Sequence, residues 1–255
     1  DEKGDSLDVA LNALDDGILQ FATFVNNEFV PSGFISADVS TYTKAFFSMS
    51  DFKKKLVAFL TKVSPGFDQQ YQNVLAMAKT NFQFDIDSFF DSIGDDYEGF
   101  STFHKEGTEE SLFINKLKNQ NNFITNFGSI LNNALVKQSL GANFSIIENK
   151  EGGNQFWVLT TKSSNPDIPE VNFALGCMDS YGFFSMPGNM AQKHIAQIKK
   201  NAETKLSSSA VFNATRAMYP SKIAFFSFAL TKDMINSMKS KFKTQQANIS
   251  LISPG

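Results

Sequence analysis

Arginine is almost absent from this 255-residue chain: Arg216 stands alone among 23 basic residues. Bidentate recognition of phosphate or carboxylate depends on the planar guanidinium fork, so an anion site built from several arginines is excluded. Cysteine is as scarce. Cys177 is the only one, so no intrachain disulfide can form. Together with His104 and His194 it gives at most three N or S ligands, at spacings that match no compact zinc motif. A Cys177–His194–Asp179 triad can be drawn, but Cys177 sits in the apolar run FALGC, where thiols act as small hydrophobes. His104, in a polar stretch, reads as a solvated surface residue.

Other absences narrow the field further. No apolar run reaches the ~18–20 residues of a membrane span. The chain has no G-x-x-x-x-G-K-[ST] cradle, no G-x-G-x-x-G and no G-x-S-x-G elbow. Nucleotide-dependent enzymes and common hydrolases are both disfavoured on that basis. A formal net charge of −3 gives no footing for nucleic acid. No motif implies a cofactor.

Phenylalanine is what the chain has in abundance, with 28 residues against a single tryptophan, Trp157. Phe buries area without a polar atom to satisfy, so a Phe-rich core follows. Charge is divided unevenly: residues 1–140 hold 19 acids and 11 bases, and residues 141–255 hold 7 acids and 12 bases. Mutual attraction of the two halves is the plain reading, and a basic face for an anionic partner the sharper one. The sequence begins Asp1-Glu2-Lys3, which suggests removal of a leader or a trimmed terminus and leads to the expectation of a soluble secreted or luminal protein. Asn143, Asn213 and Asn248 open N-glycosylation sequons. Chance alone gives about three or four in a chain of this Asn, Ser and Thr content, so they carry little weight.

Hydrophobic periodicity predicts four long helices in the first half. Leu7, Leu11, Leu14, Ile18, Phe21 and Val25 form one stripe across residues 7–29. Stripes of similar length follow at 38–63, ending at Ser64-Pro65-Gly66, at 67–94, and at 108–141, with a polar connector at 95–108. After Gly141 the texture changes to short β-rich runs at 144–147, 155–161, 171–178 and 181–186, followed by a helix at 188–206, a strand at 222–230 and a helix at 231–243. The expected fold is α+β, with an up-and-down bundle of about four long helices in residues 1–140. A smaller module of antiparallel strands with two helices is expected in residues 141–255, either separate from the bundle or packed with it as one unit.

Two clusters are candidate sites. Asp87, Asp91 and Asp95 would stack at steps of four on a helix and form a candidate calcium cluster, weighed against a solvated acidic face. Lys232, Lys239, Lys241 and Lys243 flank the apolar stripe of the last helix and form a candidate face for an anionic partner. Together these features favour a non-enzymatic binding or interaction protein that takes an apolar ligand among Phe-lined helices, or a protein partner. The alternatives are a membrane-acting protein, lipid-binding or pore-forming, that lays long amphipathic helices on an anionic membrane, and an enzyme with no local motif.

Overall fold

The computed structural model describes residues 24–104, 108–141, 144–151, 153–161, 170–200 and 202–230, with 232, 233, 235, 236, 239 and 240. Its centre is one antiparallel sheet of eight strands. In chain order these are β2 (Thr41–Phe46), β3 (Ile93–Phe103), β4 (Glu109–Leu117), β5 (Phe144–Glu151), β6 (Asn154–Thr161), β7 (Asn172–Met178), β8 (Tyr181–Met186) and β10 (Phe225–Ala229). They lie side by side as β10-β2-β3-β4-β8-β7-β6-β5. A two-stranded ribbon pairs β1 (Asn27–Glu28) with β9 (Lys222–Ile223). Among the described residues, short helices are interleaved: α1 (Met49–Val63), α2 (Phe67–Phe82), α3 (Ile86–Ser92), α4 (Gln120–Leu131), α5 (Ala134–Leu140), α6 (Ala191–Ile198) and α7 (Ala210–Arg216).

The expected four-helix bundle is therefore overturned. The stripe at 7–29 falls mostly outside the described residues, and from Phe24 onward it is extended, with Phe24 bridging Phe47. The stretch 38–63 is a strand followed by a helix. Tyr42, Lys44 and Phe46 face inward in strict alternation, and the buried lysine at the centre hides that alternation from a hydrophobicity reading. The supposed connector at 95–108 contains most of β3. Its acidic, glycine-bearing sequence passes for a loop because Glu98 is an inward-facing charge. The helix expected at 108–141 begins at Gln120, where Asn119 accepts a bond from the Asn122 N–H as N-cap. Before it, Leu112 and Ile114 are buried while Phe113 is 50% exposed, a period of two.

The second half holds the expected strands, but the helix expected at 188–206 ends at Ile198, α7 falls at 210–216 where no helix was expected, and the helix expected at 231–243 lies mostly outside the described residues. All four β-rich runs contain strands, and β5 pairs antiparallel with β6 out to Glu151 opposite Asn154. The sheet crosses residue 140 through the β4–β8 pairing, so strands from both halves share one ladder. Among the described residues, no helix is long and apolar enough to cross a membrane.

One face of the sheet is closed by α6, α7 and the segment 29–39. Phe29, Ile35, Tyr42, Phe100, Leu112, Phe183, Ile195, Phe212 and Phe226 form this core. Phe212 meets Phe226 and Phe228 edge-on, the arrangement that aligns ring edges with ring faces. Arg216 is wholly structural here: its guanidinium lies 4.9 Å from the Phe29 ring centre and donates to the carbonyls of Tyr219 and Ser221. On the opposite face, at the β5–β7 end, α4 packs Ile124, Phe127 and Leu131 against Trp157 and Leu159.

Candidate functional site

The described cavity with the most varied chemistry is an open cleft of about 390 Å³ between α6 and the ends of β3 and β4. Its floor is Val39, Phe100 and His194, and its walls carry Asp38, His104, Glu110, Lys193 and Lys200. The wall at residues 36–39 is held by backbone: Ala37 N–H donates to Thr204 O at 2.9 Å and Ser36 bridges Lys205.

His194 lies on the buried stripe of α6 with Ala191 and Ile195. Its Nδ1 is 2.7 Å from Ser185 Oγ on β8, and the Phe100 ring stands edge-on to it at 6.1 Å. Burial pushes its pKa down to about 4; Glu110 opposes the shift and Lys193 adds to it. The imidazole is neutral near pH 7 and a weak base. Ser185 is fully buried, so this hydroxyl positions the ring rather than meeting a solute.

Glu110 is the electrostatic centre of the wall. It accepts from Lys193 Nζ at 2.7 Å and lies 3.2 Å from His104 Nε2, a contact of ion-pair distance without hydrogen-bond alignment. Burial alone would raise its pKa, but the Lys193 hydrogen bond and charge outweigh that and hold the carboxyl below its ordinary range. The Lys193–Glu110 pair also joins the two halves of the chain. The cleft can thus hydrogen-bond the polar part of a small solute over an apolar floor.

No known protein family, curated protein or solved structure matches this chain.

The structure scatters most of the residues singled out from sequence. Cys177 points to the face of the sheet opposite His194, its thiol 3.6 Å from Asp179 O, so Cys177, His194 and Asp179 form no triad. Burial pushes that thiol up to about 12, leaving it protonated. His104 is half-buried against Glu110 rather than solvated. Asp87 and Asp91 do share α3, but the helix ends at Ser92 and Asp95 belongs to β3. Each acid has its own lysine: Asp87 with Lys53 at 2.5 Å, Asp91 with Lys54 at 3.9 Å and Asp95 with Lys118 at 3.0 Å. The Ser50 hydroxyl bonded to Asp91 lowers the pKa of that carboxyl, with the nearby lysines assisting against burial. Among the described residues, no group of three or more His, Cys, Asp or Glu is placed to hold a metal.

Lys232 and Lys239 are exposed, while Lys241 and Lys243 lie outside the described residues. Asn213 is exposed on α7, its amide donating to Ser207 O; Asn143 and Asn248 lie outside the described residues. Sequence reasoning missed Asp38, Glu110, Lys193 and Lys200 as a group. They come from separate segments whose approach depends on the β3–β4–β8 pairing, and no local spacing signals it.

Proposed function

We propose that this chain is a non-enzymatic binding protein that takes a small solute, with an apolar body and a polar head, in the cleft beside α6. The observation that carries this reading is the combination of about 390 Å³ of open space, a Val39–Phe100 floor and polar groups at the rim. Ligand sites commonly enclose about 300–1,000 Å³ lined by apolar surface with a few placed polar groups. A binding role suits the chemistry better than catalysis. His194 is a weak base tied to Ser185, and Glu110 is already engaged by Lys193. Among the described residues, the Phe-rich interior offers no comparable seat, because its rings pack against one another.

The test is an NMR titration of the whole chain with a panel of short-chain carboxylates and amines. Shifts centred on Val39, Phe100 and His194 are expected, and they should vanish in Ala196→Trp, which fills the cleft from an exposed position on α6. Millimolar probes that leave these resonances unmoved, or move them equally in Ala196→Trp, would overturn the reading.

A further inference from the structure

One buried cluster of the sheet holds an amine between two carboxyl groups. Lys44 on β2 and Glu98 on β3 are direct cross-strand partners, and Asp96 stands one same-face pair further along, opposite Phe46. The side chains of Lys44 and Glu98 are only 7% and 3% exposed. Lys44 Nζ lies 3.3 Å from Asp96 Oδ1 and 3.7 Å from Glu98 Oε2, with the Phe46 ring centre 5.5 Å away.

The two carboxylates are not equally served. Glu98 accepts from Tyr42 OH at 2.5 Å, from Ser32 N–H at 2.8 Å and from the Ser32 hydroxyl. Asp96 Oδ1 is buried and takes no hydrogen bond, so its contact with Lys44 has the distance of an ion pair without the alignment. Lys44 itself donates to the Val30 carbonyl at 3.2 Å. Ion pairs this deep are often no more stabilising than apolar residues of the same volume, so stability alone gives no reason for the cluster. An amine fixed against a carboxyl carbon, with a second carboxylate beside it to carry a proton, is the arrangement that amide formation needs.

We propose that Lys44 and Asp96 condense into an amide that staples β2 to β3. The Lys44 ammonium first gives one proton to the Asp96 carboxylate, leaving an amine beside a carboxylic acid. Nζ then attacks Asp96 Cγ and forms the N–C bond. Glu98 takes a second proton from Nζ and passes it to the departing hydroxyl; the C–O bond breaks and one water leaves. Nζ keeps its last proton, which can still be donated to Val30 O. No oxidant, reductant or cofactor takes part. The Asp96 side chain is 40% exposed, which gives the water a way out. Groups held in line within one molecule react as if at about 10⁵–10⁸ M, a concentration that free amines and acids never reach. Condensation also removes one charge of each sign from the interior, and Glu98 keeps its own donors. The bond closes a loop over α1, α2 and α3.

Mass spectrometry of the full chain, denatured after incubation at neutral pH, tests the bond. The chain should weigh one water less than its sequence. Its tryptic map should hold a branched peptide that joins the segments around Lys44 and Asp96, uncut after Lys44. Lys44→Met and Asp96→Ala should each restore the full sequence mass. Glu98→Gln keeps a hydrogen-bonding group but no proton carrier, and should slow the loss of water about a hundredfold or more. A wild-type chain at full sequence mass would overturn the proposal, and that reading needs no variant to fold. Loss of water that persists in Lys44→Met, or that maps to Asp96 alone as a succinimide, would equally overturn it. Loss at the wild-type rate in Glu98→Gln would overturn the role given to Glu98.

Discussion

The sheet body and the α1–α2 hairpin use the same side chains to opposite effect. In the body, Phe212, Phe226 and Phe228 disappear among one another, and even charged residues are drawn inside. In the hairpin, Val63, Val74 and Met77 remain exposed, and α2 buries no residue at all. Helical stripes of equal hydrophobicity thus differ in fate according to what the topology brings against them. Stability should accordingly reside in the body, and the hairpin should tolerate change.

The buried charge network of the body offers the strongest test of that contrast. Glu98 is 5% exposed, accepts from Tyr42 OH at 2.5 Å and from Ser32 N–H at 2.8 Å, and lies 3.7 Å from Lys44 Nζ. Burial, then the Glu98 charge and hydrogen bond, raise the Tyr42 pKa far above its ordinary value, so the phenol stays a donor. Glu98→Ala leaves Lys44 without its most buried partner and should cost about 3–5 kcal/mol in denaturant unfolding. Glu98→Gln, which keeps acceptors for Tyr42 and Ser32, should cost less. A loss under about 1 kcal/mol for Glu98→Ala would show that the network contributes little.

His194 predicts how the body responds to acid. Its folded pKa of about 4 lies below the unfolded value near 6.5, so the unfolded chain binds the proton first. The associated stability is complete above about pH 6.5 and is lost as pH falls toward 4, by about 3 kcal/mol in all. His194→Gln should flatten that part of the pH–stability curve. If the slope between pH 6.5 and 4 persists in the variant, other groups carry it.

Two glycines sharpen the comparison inside the sheet itself. A Cβ on Gly176 would sit 2.4 Å from Gln155 O and from Phe156 Cα, which are backbone atoms that cannot give way. The atoms nearest a Cβ on Gly99 belong to the ring of Phe113, a half-exposed side chain that can shift where backbone cannot. Gly176→Ala should therefore destabilise by about 1–3 kcal/mol or more through overpacking, and Gly99→Ala by clearly less. Thermal unfolding of the pair reads the difference directly. Similar losses would mean that the Phe113 side of the sheet is as rigid as the closed core.

How legible this fold was depends on where charges went. Strands β5 to β8 were readable because Trp157, Leu159, Leu175 and Phe183 sit in dense β-rich runs between turns. Strands β2 and β3 were not, because the inward positions hold Lys44 and Glu98, whose pairing is an event of tertiary structure. Helix α1 was read correctly at its Ser64-Pro65-Gly66 end, where chain chemistry is local, and incorrectly at its start. Of the cleft, His104 and His194 were singled out, each in another role: His104 as a solvated residue, and His194 in a triad, since its partner Ser185 is a strand residue with no motif around it.

The smallest effect is expected where the hairpin is fastened to the body. Lys53 Nζ meets Asp87 Oδ1 of α3 at 2.5 Å and lies over the Phe90 ring, while Tyr71 OH of α2 donates to the same carboxylate at 3.3 Å. Asp87 is half exposed, so solvent screens the pair and its net contribution should be about 0.2–1 kcal/mol. Lys53→Ala should leave global unfolding within that range. Its effect should instead appear locally, as faster amide exchange in α1 and α2 with exchange in β3 and β4 unchanged. Global destabilisation of several kcal/mol, spread through the sheet, would mean that the hairpin is part of the cooperative core and that the contrast between the two regions does not hold.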